Sequence, residues 1–242
     1  MQFHETKQQA KSLKELVYRY RHIWVLSYCI LYLPWFSWLE KTVTKKFHII
    51  TMEIDLKIPF CEYFIIPYLL WFVYIAAIVT YFFLCSKYDY YKLCAFLFTG
   101  MTVFLIVSTI YPNGHHLRPD EFAQENLCTE LVRWLYRTDT PTNLFPSIHV
   151  YNSIGVHLSL IHSERLKEKK SIRMISFCLC VSIILSTMFL KQHSVFDVLT
   201  AFGMALIMYY VVYRRAYTKV PALIRAGKRE KGQILHDFKS YL

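Results

Sequence analysis

The sequence predicts an all-α membrane protein, a bundle of six transmembrane helices with both termini in the cytoplasm. Three observations carry this. Of 242 residues, 55% are hydrophobic and only 19% charged, with positive mean hydropathy; soluble domains are about a quarter charged and about half apolar or less. Several uncharged or nearly uncharged runs approach the ~20 apolar residues that a bilayer crossing needs. Finally, 20 of the 28 Lys and Arg residues fall on the side that holds both termini and 8 on the other, an asymmetry that marks the first side as cytoplasmic. Disordered, collagen-like and disulfide-stapled classes are excluded. The net charge of +11 reads as basic loops beside anionic lipid, and no nucleic-acid partner is expected.

Residues 1–22 form a basic cytoplasmic segment in which Leu13, Leu16, Val17 and Tyr20 share one apolar face, the pattern of an interfacial helix. Its polarity leaves no cleavable signal peptide. The catalytic membrane domain covers 23–213. Its spans are predicted at 23–39 (with Pro34 as a kink), 63–85, 93–112, 140–163, 174–190 and 194–213. The fourth carries His149, Asn152, His157 and His162 and is therefore polar on one side; the sixth carries one formal charge, Asp197. Between the first two spans, the alternation in Met52-Glu53-Ile54-Asp55-Leu56-Lys57-Ile58 predicts an extended or interfacial segment. The longest outer loop, 111–139, has apolar residues at helical spacing (Leu127, Leu131, Trp134, Leu135), which predicts a helix on the membrane surface. Residues 214–242 form a basic cytoplasmic tail. Cys61 and Cys128 both fall on the outer side and pair only if that compartment is oxidising. No Cys-x-x-Cys spacing exists, and neither a metal nor a cofactor is expected.

Ionisable groups near spans need a partner or a function, and three clusters fall at the outer ends of spans three to six. Tyr111-Pro-Asn-Gly-His-His-Leu-Arg118-Pro119 offers a fixed cation whose fork suits phosphate oxygens; alone, Arg118 reads as a loop arginine paired with Asp120 or Glu121. Pro146-Ser147-Ile148-His149 places an N-cap serine, hence free helix amides, beside a histidine; alone, His149 reads as a hydrogen-bonded bundle histidine. In Ser186-Thr-Met-Phe-Leu-Lys191-Gln-His193-Ser-Val-Phe-Asp197, His193 and Asp197 are four apart and share a helix face; alone, they read as a structural pair sealing helix ends. Together the three suit a single chemistry, phosphoryl transfer. An arginine binds phosphate, a histidine oriented by a carboxylate attacks phosphorus, and a second histidine protonates the leaving oxygen.

These residues, in this order, resemble the type-2 phosphatidic acid phosphatase superfamily. Its second signature, Pro-Ser-x-His, is matched in full at 146–149. Its third, a Ser with a His seven residues on and an Asp four further, is matched by Ser186, His193 and Asp197. The resemblance implies a six-helix bundle and a metal-independent site with a phosphohistidine intermediate. It casts His193 as nucleophile, Asp197 as its orienting partner, His149 as general acid and Arg118 as phosphate clamp, with Ser147 and Ser186 as phosphate or orienting contacts. The signatures usually carry Lys where Tyr111 stands and Arg where Thr187 stands. Lys191 is the candidate replacement for one of these cations. Fewer cations match a singly charged phosphodiester better than a phosphomonoester. Hydrolysis of a lipid phosphate remains the superfamily default, and the Lys and Arg asymmetry puts the site at the extracytoplasmic face of the cell membrane. Head-group transfer between lipids, like that of sphingomyelin and inositol-phosphorylceramide synthases, is a close rival. A transporter with a His/Asp proton relay is the reading from another class; its groups would lie near mid-membrane, often within repeated halves.

Overall fold

A computed structural model describes residues 15, 17–44 and 46–215 of the chain. The N-terminal apolar face through Leu13 and Leu16, and the basic tail beyond Arg215, lie outside these residues. The chain enters through a 3-10 segment, Arg21–Ser27, and continues as α1 (Tyr28–Thr42), which runs through Pro34. After the strand β1 (His48–Ile49) and the short helix α2 (Glu53–Lys57) come α3 (Ile65–Cys85), α4 (Lys87–Ile110) and the strand β2 (Asn113–Gly114). The chain closes with α5 (Leu127–Thr138), α6 (Ile148–His162), α7 (Lys170–Phe189) and α8 (Val195–Tyr209), the last extended by a π-turn at Tyr210–Arg215. Starts are fixed by capping side chains: Ser86 accepts from Asp89 N, Asn126 from Thr129 N, and Ser147 from Val150 N.

Five segments of the described chain are long and apolar enough to cross a bilayer: Val17–Thr42, Glu62–Cys85, Lys87–Ile110, Lys170–Phe189 and Val195–Arg214. The span expected at 140–163 is different. Its helix begins only at Ile148 and has 15 residues, about 22 Å at 1.5 Å per residue against the ~30 Å of a hydrocarbon core. The uncharged run suggests one helix, but its first part is consumed by a loop. Asn113 Oδ1 accepts from the Leu144 and Phe145 amides at 2.8 and 2.9 Å, and Phe145, standing before Pro146, is steered away from helical backbone. α6 is instead the inner helix of the bundle. Val150, Tyr151, Val156 and Leu160 pack into the main core with Phe96 and Leu97 of α4 and Ala201 of α8. A Cβ at Gly100 would fall 2.0 Å from the Tyr151 ring, so that glycine is what lets α4 and α6 approach. Large apolar residues cover the outside, among them Leu70, Phe72, Ile106, Phe177 and Phe202, as a lipid-facing surface requires.

Of the extended or interfacial segment expected around 52–58, residues Glu53–Lys57 are not extended but form the helix α2. Met52 N donates to Asp55 Oδ2 at 2.7 Å, and this local turn, together with the inward pull on Asp55, overrides the period-two pattern. A helix does form in this loop, α5, with Val132 and Leu135 buried and Leu127 and Trp134 exposed. The loops at this end of the bundle are tied to one another. β1 pairs in parallel with β2, and Gly114 bridges to Thr142. A Cβ at Gly114 would meet the Pro141 carbonyl at 2.5 Å. Tyr136 OH donates to the Leu190 carbonyl at 2.7 Å. All seven cysteines, Cys61 and Cys128 included, are free thiols.

Candidate active site

His193 sits in the turn between α7 and α8. Lys191 adopts φ 53°, in the left-handed region that non-glycine residues rarely visit. The Gln192 and His193 amides both donate back to the Thr187 carbonyl, at 2.9 and 3.0 Å, which turns His193 into the bundle at 6% exposure. Its Nδ1 lies 3.5 Å from Asp197 Oδ2. Nδ1 makes no hydrogen bond at this distance; a carboxylate accepts, so closure of the contact would place the proton on Nδ1 and leave Nε2 with the lone pair. Nε2 in turn lies 3.4 Å from His149 Nδ1. Asp197 has a second duty: with Ser194 it forms the capping box of α8, accepting from Ser194 N at 3.0 Å. His149 is held from the other side by Tyr68, stacked at 4.8 Å between centroids, and by Trp71 at 4.4 Å. Burial pushes the His193 imidazole down to about 3, with the Leu144 carbonyl opposing, so the neutral ring is the resting form.

The remaining expected residues surround this triad unevenly. Arg118 does not pair with Asp120 or Glu121. Its guanidinium donates to the Tyr136 and Asp139 carbonyls at 3.2 and 2.9 Å and to Gln192 Oε1 at 2.8 Å, and stacks 4.4 Å over the Tyr136 ring. Its Nε is buried without a partner. Arg118 is thus anchored one residue from His193, at Gln192. Ser147 caps α6 beside His149, and its amide faces the Asp197 carbonyl at 3.4 Å. Ser186 is fully buried and donates to its own helix at Ile183 O, 2.6 Å. The Lys191 ammonium is turned onto the Asp55 and Ile58 carbonyls and so ties α2 to the His193 turn. Tyr111 lies outside, stacked on His48 at 4.2 Å, and Thr187 serves the turn through its carbonyl.

Several participants escape a reading of the sequence. Asp55, 2% exposed, accepts from Ser194 Oγ at 2.5 Å and Val195 N at 2.8 Å. Asn113, buried beside β1, organises the strap that leads into α6. Glu40 and Asp139 line a small cavity together with His149 and His193. The Asp139 carboxyl is pushed up from 3.8 to about 6 by burial first and by Glu40 second, with Arg118 opposing. His115 is completely buried; burial takes its imidazole down to about 4. Glu40 and Asp139 each abut an uncharged run, the one signal that marks them in the sequence.

Among the described residues no group of three or more His, Cys, Asp or Glu side chains is placed to hold a metal ion. Residues 118–221 match the family model described as the PAP2 superfamily, the superfamily the three clusters resemble. The matched stretch opens on Arg118 and takes in His149, His193 and Asp197. No curated protein and no solved structure matches the chain. Members of this superfamily are generally phosphatases or phosphotransferases, and the apolar helices fit a multi-pass membrane member.

Proposed function

We propose that this protein is an integral-membrane phosphatase that cleaves a lipid phosphate ester through a phosphohistidine on His193. The observation that carries the reading is the close chain Asp197–His193–His149. It presents a lone pair on Nε2 with a second imidazole 3.4 Å away. Phosphate entering between the rings replaces their long mutual contact. His193 Nε2 forms the bond to phosphorus while the bond from phosphorus to the lipid oxygen breaks, and His149 delivers a proton to that oxygen. The imidazole that has lost its proton then takes one from water, whose oxygen attacks phosphorus and releases His193. Arg118 steadies the non-bridging oxygens, with the α6 amides beside Ser147 as further donors. In this reading α6 is a short sixth crossing. The site opens at the extracytoplasmic face of the cell membrane, a sidedness supported by the 20 to 8 split of Lys and Arg.

A second reading, transfer of the phospho-head-group to another lipid, is favoured by the cations. Lys191 is bound to carbonyls, position 111 carries an outward tyrosine, and Glu40 and Asp139 stand beside the histidines. Such a site suits one phosphate charge better than two. The purified protein in nanodiscs, given labelled lipid phosphates and phosphodiesters with and without ceramide or diacylglycerol, tests both. Free phosphate marks the phosphatase, and a lipid with a moved head group marks the transferase. Silence on every lipid, or activity lost in EDTA and restored by one divalent ion, overturns the mechanism.

A further inference from the structure

The cavity beside the histidine pair has a wall that only a donor can satisfy. Glu40, near the end of α1, and Asp139, just after α5, both line it. Neither carboxylate makes an ion pair among the described residues. Glu40 is met by neutral donors alone: Thr140 Oγ1 at 2.6 Å, Thr140 N at 3.3 Å and Asn143 Nδ2 at 3.2 Å. Asp139 receives Tyr68 OH at 3.5 Å. The contact to Glu40 also sets the amide of Asn143, because a carboxylate cannot donate; its nitrogen must face Glu40. That leaves Asn143 Oδ1, in a side chain only 4% exposed, as a buried acceptor without a partner on the same cavity. A buried acceptor left unpaired is costly, and a donor arriving with substrate removes the cost.

We propose that this cavity binds the primary ammonium of an ethanolamine-type head group on the phosphodiester that His193 attacks. The proposal rests on the second, head-group reading above and names its donor: His193 Nε2 bonds to phosphorus as the bond to the diacylglycerol oxygen breaks, His149 protonates that oxygen, and water or an acceptor hydroxyl then takes the phosphoethanolamine from His193. Two carboxylates and an orphan amide oxygen call for a group that is both positive and rich in N–H, which excludes a second phosphate charge and an uncharged polyol. Size selects among ammonium groups. The cavity measures about 30 Å³, room for one or two water-sized groups, so an –NH₃⁺ fits and a trimethylammonium does not. Phe36 and Phe104 close its apolar side, where the two carbons between nitrogen and phosphate would lie. Because His149 and His193 share the wall, an amine seated here leaves its phosphate at the imidazoles. The Asp139 carboxyl is raised by burial first and by Glu40 second, and Arg118, whose fork lies on the Asp139 carbonyl, only partly offsets them.

The test uses the full-length protein in nanodiscs with phosphatidylethanolamine, phosphatidylcholine, phosphatidylglycerol and phosphatidic acid. Phosphatidylethanolamine should show the highest kcat/KM. Glu40→Gln should lower it about tenfold relative to phosphatidylglycerol, the effect of one charge-assisted hydrogen bond. A preference for phosphatidic acid or phosphatidylcholine, or an equal loss on all four lipids, overturns the proposal. A second arm needs no turnover. Phosphoethanolamine should raise the Tm of His193→Ala more than glycerol 3-phosphate or phosphocholine does, and adding Glu40→Gln should abolish the difference. Equal shifts from the three compounds sink the ammonium site. If no lipid is turned over, the enzymatic reading fails, and the Tm arm still decides what the cavity binds.

Discussion

Asp55 makes the sharpest quantitative demand on the architecture. Its carboxylate takes Ser194 Oγ at 2.5 Å and Met52 N at 2.7 Å on Oδ2, and Val195 N at 2.8 Å on Oδ1. Two of these donors, Ser194 and Val195, open α8 directly after His193. Asp55→Ala removes all three bonds and leaves the Ser194 hydroxyl and Val195 amide without their acceptor. Hydrogen bonds to a charged group contribute roughly 1.5–3 kcal/mol each. Counting the two at α8 and discounting the one at exposed Met52 gives a loss of about 4 kcal/mol. At roughly 2–4 °C per kcal/mol for a chain of this size, the Tm should fall by about 10 °C. Asp55→Asn should fall between, since the amide keeps one acceptor oxygen. The assay is thermal unfolding of the purified protein, paired with phosphoenzyme formation well below the lowered Tm. The reasoning also requires a kinetic defect there, because α2 holds the turn that presents His193. An Asp55→Ala protein that melts with the wild type and forms phosphoenzyme at the wild-type rate would show that α2 does not hold this turn.

The other predictions concern the reacting groups and their surroundings. His193→Ala should abolish turnover and acid-labile phosphoenzyme. His149→Ala should still charge from a nitrophenyl phosphate, whose leaving group needs little protonation, and then accumulate label; label retained in His193→Ala reverses the roles. Asp197→Asn should keep the Ser194 cap and the Tm but slow the reaction by about 10⁴-fold, the scale seen when a triad carboxylate becomes an amide; a rate near wild type removes Asp197 from the chemistry. For Asp139, the folded carboxyl sits near 6 against an ordinary 3.8, so the native state binds the extra proton. Its contribution to stability is fully present below about pH 4 and is lost as pH rises through about 6; Asp139→Asn should flatten that part of the Tm–pH profile, and an unchanged slope refutes the assignment. In a background without native cysteines, Glu121→Cys should react with an impermeant reagent in intact cells and Lys169→Cys should not; the reverse pattern inverts the topology.

Much of the site is legible in the sequence because its chemistry is local there. His193 and Asp197 are one helical turn apart, and Ser147 and His149 flank a helix start, so spacing alone places each pair. Arg118 is legible as a phosphate-seeking cation, but not the anchoring of its fork on two carbonyls and Gln192. Lys191 shows the same limit more strongly. A cation two residues before His193 resembles a phosphate ligand, yet the left-handed turn at Lys191 directs its ammonium to the carbonyls of Asp55 and Ile58. The alternation at 52–58 does not set the backbone there: Asp55 is the buried residue of the stretch, and it caps α8, a helix from another part of the chain.

The sequence by itself determined the class of the protein and the residues of the candidate site. Composition and hydropathic runs require a membrane-embedded helical bundle, because backbone polar groups in hydrocarbon must be satisfied within helices. The motifs require a histidine, a carboxylate and a second histidine at one end. What only the tertiary structure decided is how that end is closed. A parallel pair of two-residue strands, one glycine against a carbonyl, and Asn113 hold the loop so that α6 starts late and lies inside the bundle. Glu40 and Asp139 meet beside the histidines although they stand 99 positions apart in the chain. No local rule couples residues so distant; their meeting depends on helix packing and loop closure, which hydropathy and short spacings do not encode.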